Sequence, residues 1–476
     1  MARTISFYKN KLSICSLFTA GLSACGNPAG QNATSASNGN EKRQCPNIVI
    51  LLTDDQGYGD MRCYGNPQVQ TPNLDRLASE GTRFTNFYAG AAASTPSRAA
   101  LLTGRYAERV GVPDVVDDLS ENGIKPTEIT IADYLKQNDY ATGMVGKWHL
   151  GYQPQYMPLR HGFTEFFGIP YSNDMWPFHP QPDHAYPALP LYDNDRVIEY
   201  NPPVNQMTTR LTERAVDFIN RHKDKPFFLY LPYTQPHVPL GVSDKFKDKS
   251  GEGLYADVLM EIDWSVGEIM KTLKANGLDK NTLVLFTSDN GPWLSYGNHG
   301  GSNGGLREGK GTTFEGGQRV PMIARMPGHI PAGKVSDQYF SALDIAPTLV
   351  ELTSSQMPRM NAFDGENVWN ILVGKEQEHK PFYFVYNGKV EALREGKWKC
   401  VVPHTYRIVE IPGKDGLPGK QVIDGGNTEL ALFDLEADPQ EKRNLAAEHA
   451  DIVENMYDRI KNFQKEMDEV MAKNRF

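Results

Sequence analysis

Asn47-Ile48-Val49-Ile50-Leu51-Leu52-Thr53-Asp54-Asp55 is the stretch on which the fold turns. Ile48 to Leu52 is an unbroken aliphatic run, and such a run without polar alternation predicts a strand buried on both faces in a parallel sheet. The same texture recurs at Ala141 to Val145, Phe227 to Leu231 and Thr282 to Phe286. Helical patterns lie between these runs, at Asn73 to Glu80, Pro96 to Arg109, Ile131 to Gln137 and Tyr255 to Leu273. Leu211, Ala215, Phe218 and Ile219 recur at i, i+4, i+7 and i+8, which gives one more helix a single buried face. Strands alternating with helices predict an α/β sheet with helices on its faces. Ligands of such sheets sit at the carboxyl ends of the strands. Here each run leads into polar residues: Asp54-Asp55, Lys147 and His149, His237, and Asp289-Asn290.

The chain has 476 residues, a formal net charge of −9, 39% hydrophobic and 22% charged residues. That length gives core enough for a large domain and a smaller one. Past about residue 375 the texture changes. Pro381 to Tyr386, Trp398 to Val402 and Glu429 to Asp434 read as antiparallel strands, followed by an amphipathic helix from about Ala450 to Ala472. We place a large domain, the one that carries the polar strand ends, over 45–375 and a C-terminal α+β subdomain over 376–476. Nucleic acid is not an expected partner, because that binding depends on Lys and Arg neutralising phosphates.

Arg3, Lys9 and Lys11 flank an apolar run, Leu12 to Ala24, which is too short to span a bilayer and fits a signal-peptide core. It ends in Leu22-Ser23-Ala24-Cys25-Gly26, which resembles the lipobox of bacterial lipoproteins. The resemblance implies a signal peptide over 1–24, cleavage before Cys25 and lipidation of its thiol. Residues 25–44, rich in Gly, Asn, Ser and Ala, read as a flexible tether. The expected location is the periplasmic face of the outer membrane, with membrane contact through the lipid alone. Cys45, Cys63 and Cys400 remain, an odd set without metal-like spacing that allows at most one disulfide.

Asp54, Asp55, Asp289 and Asn290 offer hard oxygen ligands from two strand ends, which suit Ca²⁺ or Mg²⁺ rather than Zn²⁺. Ser94-Thr95-Pro96-Ser97-Arg98 opens a helix whose N-terminus is electropositive and presents free N–H groups. Ser94 is there either a nucleophile facing a bound anion or a helix cap. Arg98, Lys147, Lys310 and two histidines would surround that anion with positive charge and proton-transfer groups.

The combination resembles one family. Ser94-Thr95-Pro96-Ser97-Arg98, followed by Leu101-Leu102-Thr103-Gly104-Arg105, resembles the signature of type I, formylglycine-dependent sulfatases. Gly146-Lys147-Trp148-His149-Leu150-Gly151 is similar to the family's second signature. Leu52 to Gly59, Thr287 to Gly291 and Gly309 to Gly317 also match, in the family's order. The resemblance implies an alkaline-phosphatase-like fold with a large mixed sheet and a smaller C-terminal subdomain. It implies Ca²⁺, with Mg²⁺ as the alternative, on Asp54, Asp55, Asp289 and Asn290, joined by the modified Ser94. It further implies that Ser94 becomes formylglycine (3-oxoalanine), that Arg98 orients it, and that Lys147 and Lys310 hold the sulfate. His237 would protonate the leaving sugar oxygen, and His149 would take the proton from the second hydroxyl of the hydrated aldehyde. A serine at the modified position implies maturation by a radical S-adenosylmethionine enzyme.

Gly168 to Trp176 resembles the arylsulfatase A and galactosamine-sulfatase branch. Asp174, Trp176, His179 and His184 lie in the Pro-rich loop Pro170 to Pro190, which is long enough to shape a sugar pocket. His404 lies near where the family often adds a substrate-contacting histidine. The expected substrate is a sulfated mono- or oligosaccharide, galactose or N-acetylgalactosamine sulfate of host or algal glycans. Two other readings stand beside it: a phosphonate or phosphate ester hydrolase of the same superfamily, and a glycan-binding protein whose Ser94 is never oxidised. No second, His-rich ligand set is visible, which counts against a two-zinc phosphatase.

Overall fold

Every residue of the strand Asn47–Thr53 is buried, as its unbroken apolar run predicts. Ile48, Ile50 and Leu52 enter one hydrophobic core while Val49 and Leu51 enter another on the opposite face. The computed structural model describes residues 45–182, 184–353 and 362–474; the signal peptide, Cys25 and the tether read from the sequence lie outside them. No helix among the described residues is long and apolar enough to cross a membrane.

Asn47–Thr53 lies mid-sheet, with Thr282–Ser288 on one side and Phe227–Pro232 on the other, both parallel to it. Ala141–Lys147 continues the parallel set beyond Phe227–Pro232, and Glu165–Ile169 follows it. Arg319–Arg325 runs antiparallel to Thr282–Ser288, so the eleven-stranded sheet is mixed. The register pairs Thr53 with Ser288 and Leu52 with Pro232. Adjacent parallel strands in that register bring Asp54-Asp55, Asp289-Asn290 and the loop holding His237 to one edge.

One expectation is corrected in the helices. The predicted helix over Pro96 to Arg109 is two helices, Ser94–Thr103 and Ala107–Val110. Gly104 parts them with φ +67°, a left-handed conformation that ends a helix and that glycine adopts without a steric penalty. The three described cysteines, Cys45, Cys63 and Cys400, are all free thiols, so the one disulfide the count allowed is not formed.

The C-terminal part is a four-stranded antiparallel sheet of Phe382–Tyr386, Lys389–Glu395, Trp398–Val401 and Ala431–Asp434. A separate hairpin, His404–Ile411 with Lys420–Thr428, and the helix Ala450–Asn474 complete it. Its core takes in Tyr88, Ala100, Tyr106 and Phe314 from the large domain, so the two parts bury one continuous apolar surface.

A buried charge cluster fastens this seam. The Lys399 ammonium meets Glu315 at 3.0 Å and Glu441 at 2.9 Å, all three side chains fully buried, and donates to the Thr313 carbonyl at 2.8 Å. Glu315 also accepts from the Tyr88 hydroxyl at 2.7 Å. Removing one partner of such a cluster leaves uncompensated buried charge. Lys399→Met is therefore expected to destabilise the fold by about 3–5 kcal/mol, read as a lowered urea midpoint. An unchanged midpoint would show that the cluster does not hold the seam.

Candidate active site

Ser94 is the first residue of the helix Ser94–Thr103, but it does not cap it. The N-cap is Ala93, which has no side-chain oxygen to offer. The Ser94 hydroxyl instead donates to Asp289 Oδ2 at 2.7 Å and Asp54 Oδ1 at 3.1 Å. The helix thus keeps its first-turn N–H groups free of a capping side chain, the condition for holding an anion there.

Around Ser94 the structure brings together the three carboxylates and the three basic side chains expected from the sequence. Lys147 Nζ meets Asp54 Oδ2 at 2.6 Å, and Lys310 Nζ meets Asp55 Oδ2 at 2.8 Å. Arg98 straddles Asp289 Oδ2 through Nε at 3.1 Å and Nη2 at 2.8 Å, and its Nη1 donates to the Lys147 carbonyl at 3.0 Å. Burial works against charge on Asp54, but Lys147, His237 and Arg98 outweigh it and hold the carboxyl below its ordinary range. Burial likewise works against charge on Lys310, and Asp55 with Asp54 overcomes it and raises that ammonium. Asp55 and His149 both sit in the left-handed region, at φ +62° and +61°. Such conformations persist where the surroundings over-determine them, which is common at functional sites.

Those residues suit a hard divalent cation. Asp54, Asp55 and His237 present ligand atoms within 4.8 Å of one another, all buried. Asp289 Oδ1 accepts from the Asp55 amide at 3.0 Å, which ties the two strand ends together. The Asn290 side-chain oxygen is buried without a hydrogen bond, although its amide nitrogen donates to Asp55 Oδ1 at 2.8 Å. A buried orphan acceptor on a side chain that also bonds a carboxylate is what a bound cation would satisfy. Three carboxylates against three basic groups would leave a surplus of two positive charges once a divalent ion is added, matching an anionic ester.

The two histidines are held in different states. His149 Nε2 lies 2.9 Å from the Val116 carbonyl, which only accepts, so Nε2 carries the proton. Its Nδ1 lone pair is then a free base, buried and unpartnered in the cavity wall. Burial, and then Lys147, Arg98 and Lys310, push its pKa well below the ordinary histidine value, so it stays neutral near pH 7. His237 donates from Nδ1 to the Val238 carbonyl at 2.5 Å and turns Nε2 to within 3.5 Å of Asp55. Beneath it, Trp293 packs at 5.4 Å between ring centroids, and the Lys310 ammonium lies 4.3 Å from the same indole.

These groups line a cavity of about 490 Å³ that also takes in Asp174 and His179 from the Pro-rich loop. His237, Ser172 and Lys147 oppose the effect of burial on Asp174 and hold its carboxyl below the ordinary range. The other expected sugar contacts are placed elsewhere. Trp176 does not line this cavity; it packs on the core and faces Leu189 and Met207, with the exposed Phe178 ring edge-on to it at 5.0 Å. His404 lines a neighbouring cavity, stacked on Phe314 and 3.3 Å from Glu391. His184 bonds Asp118 at 2.9 Å. Two site residues escaped the sequence reading. Ser172 accepts from Lys147 at 3.1 Å, and Trp293 supports both Lys310 and His237. Ser172 sits in a loop without periodicity, and Trp293 follows the Asp289-Asn290-Gly291 motif by two residues, the one signal that pointed toward it.

Comparison with known proteins finds matches along most of the described chain. A family profile described as sulfatase matches residues 46–355, and one described as N-sulphoglucosamine sulphohydrolase, C-terminal, matches residues 309–466. Arylsulfatase A of Bos taurus is 40% identical over 428 residues, covering 84% of this chain and 83% of its own. N-acetylgalactosamine-6-sulfatase of Canis lupus familiaris is 36% identical over 485 residues, 94% of this chain and 88% of its own. The crystal structure of Ps i-CgsB in complex with k-i-k-neocarrahexaose is similar at a TM-score of 0.73 and 31% identity, covering 88% of this chain and 93% of that one.

Proposed function

The chain belongs to the sulfatase family and is a sulfuric ester hydrolase acting on carbohydrate sulfates; on that premise we propose that it cleaves galactose or N-acetylgalactosamine sulfates through a formylglycine made from Ser94. The observation that carries the reading is the Ser94 hydroxyl, turned away from capping and onto Asp54 and Asp289 in the wall of the cavity. The relative named N-acetylgalactosamine-6-sulfatase supports the choice of sugar.

Ca²⁺ on Asp54, Asp55, Asp289 and Asn290 would polarise the sulfate, and the hydrated aldehyde at position 94 would supply both the attacking oxygen and the hydroxyl through which sulfate is expelled. Everything else is done by side chains already in place. Lys147 and Lys310 neutralise the sulfate oxygens as charge develops on them, and preorganised cations in a buried pocket need no rearrangement to do so. Arg98 holds Asp289 and the Lys147 carbonyl, fixing the frame beneath position 94. His149, neutral and with its Nδ1 lone pair free, accepts a proton there. With Nδ1–H committed to the Val238 carbonyl, His237 in its imidazolium form presents Nε2–H to the pocket from the other side and protonates the departing sugar oxygen. Asp174 and His179 bond the hydroxyls of the sugar ring.

The general-acid assignment carries a sharp prediction. A sugar alkoxide needs protonation to leave, whereas a nitrophenolate does not. His237→Ala should slow sugar sulfates by about 10²–10⁴ and slow 4-nitrophenyl sulfate far less. Equal losses on the two substrates would remove His237 from that role.

Cys25 would carry a lipid anchor and Ser94 would be oxidised by a radical S-adenosylmethionine enzyme before export, with the mature protein facing the periplasm. Protease shaving of intact cells tests the placement, since loss of the protein would put it on the outer surface. The activity itself is tested by assaying inorganic sulfate released from sulfated galactose and N-acetylgalactosamine disaccharides, beside aryl phosphate and phosphonate esters. Sulfate release is expected. Turnover of the phosphorus esters alone would overturn the reading.

A further inference from the structure

The sulfate pocket does not end at the sugar that would carry the scissile group. Its outer wall includes the hairpin of His404–Ile411 and Lys420–Thr428, and there it adjoins a second cavity of about 780 Å³. Gly311, Tyr386, Arg407 and Ile423 line both cavities and form the passage between them. We propose that Arg407 is a specificity-determining residue that binds an anionic substituent, carboxylate or sulfate, on the sugar adjoining the one to be desulfated. The proposal rests on the carbohydrate-sulfatase reading and names the class of oligosaccharide the site selects.

Among the described residues, the Arg407 guanidinium has no partner. Its Nε is buried with no hydrogen bond, and no carboxylate among the described residues pairs with it. A donor left this way costs free energy that a bound acceptor would recover. The carboxylates nearest to hand in the second cavity are otherwise engaged: Glu391 accepts from Thr313 at 2.8 Å and Asp424 from Thr405 at 2.8 Å. The planar fork of arginine matches a carboxylate or sulfate through two parallel hydrogen bonds.

The backbone around Arg407 is shaped to present it. Tyr406 pairs with Gly426 and Ile408 with Val422, so the hairpin ladder is irregular at Arg407 itself. Bulges of this kind re-aim a side chain, and they gather beside active sites. Opposite it stands Gly311 at φ +83°, where an added Cβ would lie 3.3 Å from the Arg407 guanidinium carbon and 3.3 Å from the Tyr386 hydroxyl. The residue before Gly311 is Lys310, which reaches into the sulfate pocket. Two anion-binding groups therefore meet across one glycine, one facing the scissile sulfate and the other the passage beyond it.

The test is a binding titration on the full chain isolated with Ser94 unoxidised, so that its outcome does not depend on turnover. Three sulfated disaccharides are compared by calorimetry, alike except that the second sugar is neutral, carries a carboxylate, or carries a second sulfate. One or both charged probes are expected to bind about ten- to hundredfold tighter than the neutral one. Which of them does so identifies the group. Arg407→Gln is expected to erase that preference, and Arg407→Lys to restore part of it, with thermal melting confirming that each variant is folded. Equal binding of all three probes, or a preference that survives Arg407→Gln, would overturn the proposal. If matured enzyme releases no sulfate while the Arg407-dependent preference persists, the sulfatase reading fails and the anion site stands.

Discussion

Ser94→Ala is expected to reduce sulfate release to background, a loss of about 10⁵ or more on the scale seen when a covalent nucleophile is removed. The expectation follows from where the hydroxyl stands. It touches Asp54 and Asp289, and no other described hydroxyl contacts both carboxylates. Ser94 lines the cavity at 2% exposure, with the two carboxylates beneath it fully buried. The substitution removes one oxygen from a helix whose cap is already Ala93, so stability should change little. Matched melting curves with activity lost would separate chemistry from folding. Retention of sulfate release in the alanine variant would mean that another group attacks sulfur.

The second large effect concerns the cation. Dialysis against a chelator should abolish turnover, and Ca²⁺ should restore it better than Zn²⁺, because the donors are carboxylate and amide oxygens. The same titration has a readout independent of activity. A ligand at a hundred times its dissociation constant stabilises the folded state by about 2.7 kcal/mol, so the melting temperature should rise as Ca²⁺ is added. Asn290→Ala is the informative variant. It removes the orphaned oxygen without stripping a carboxylate from Arg98, Lys147 or Lys310. It should weaken the Ca²⁺-dependent rise in melting temperature and leave the metal-free fold intact. Turnover and melting that ignore both chelator and Ca²⁺ would remove the cation from the mechanism.

Much of this was legible in the sequence because the site is built where strands stop. Buried parallel strands admit few polar residues, so Asp54-Asp55 and Asp289-Asn290 stand out against the aliphatic runs before them, and the Thr53–Ser288 register then fixes their proximity. The position of Trp176 was not legible for the opposite reason. In an irregular loop no period tells which side chains face inward, and an indole finds as much apolar contact on the core beside Leu189 and Met207 as in a sugar pocket. The hairpin His404–Ile411 with Lys420–Thr428 was not read as strands at all. It lies apart from both larger sheets, its residues are largely half-buried or exposed, and its ladder is irregular, so it carries neither an apolar run nor a clean alternation. Ser172 and Arg407 sit on such segments, and only the folded chain shows what they face.

The central claim is that residue 94 is not serine in the working enzyme. The direct measurement is the mass of the proteolytic peptide containing it, from protein made in an anaerobic host that carries a serine-type maturase. A peptide lighter by two hydrogens, with the difference mapped to position 94 by fragmentation, is the predicted result. A peptide of unmodified mass from a preparation that releases sulfate at full rate would contradict it.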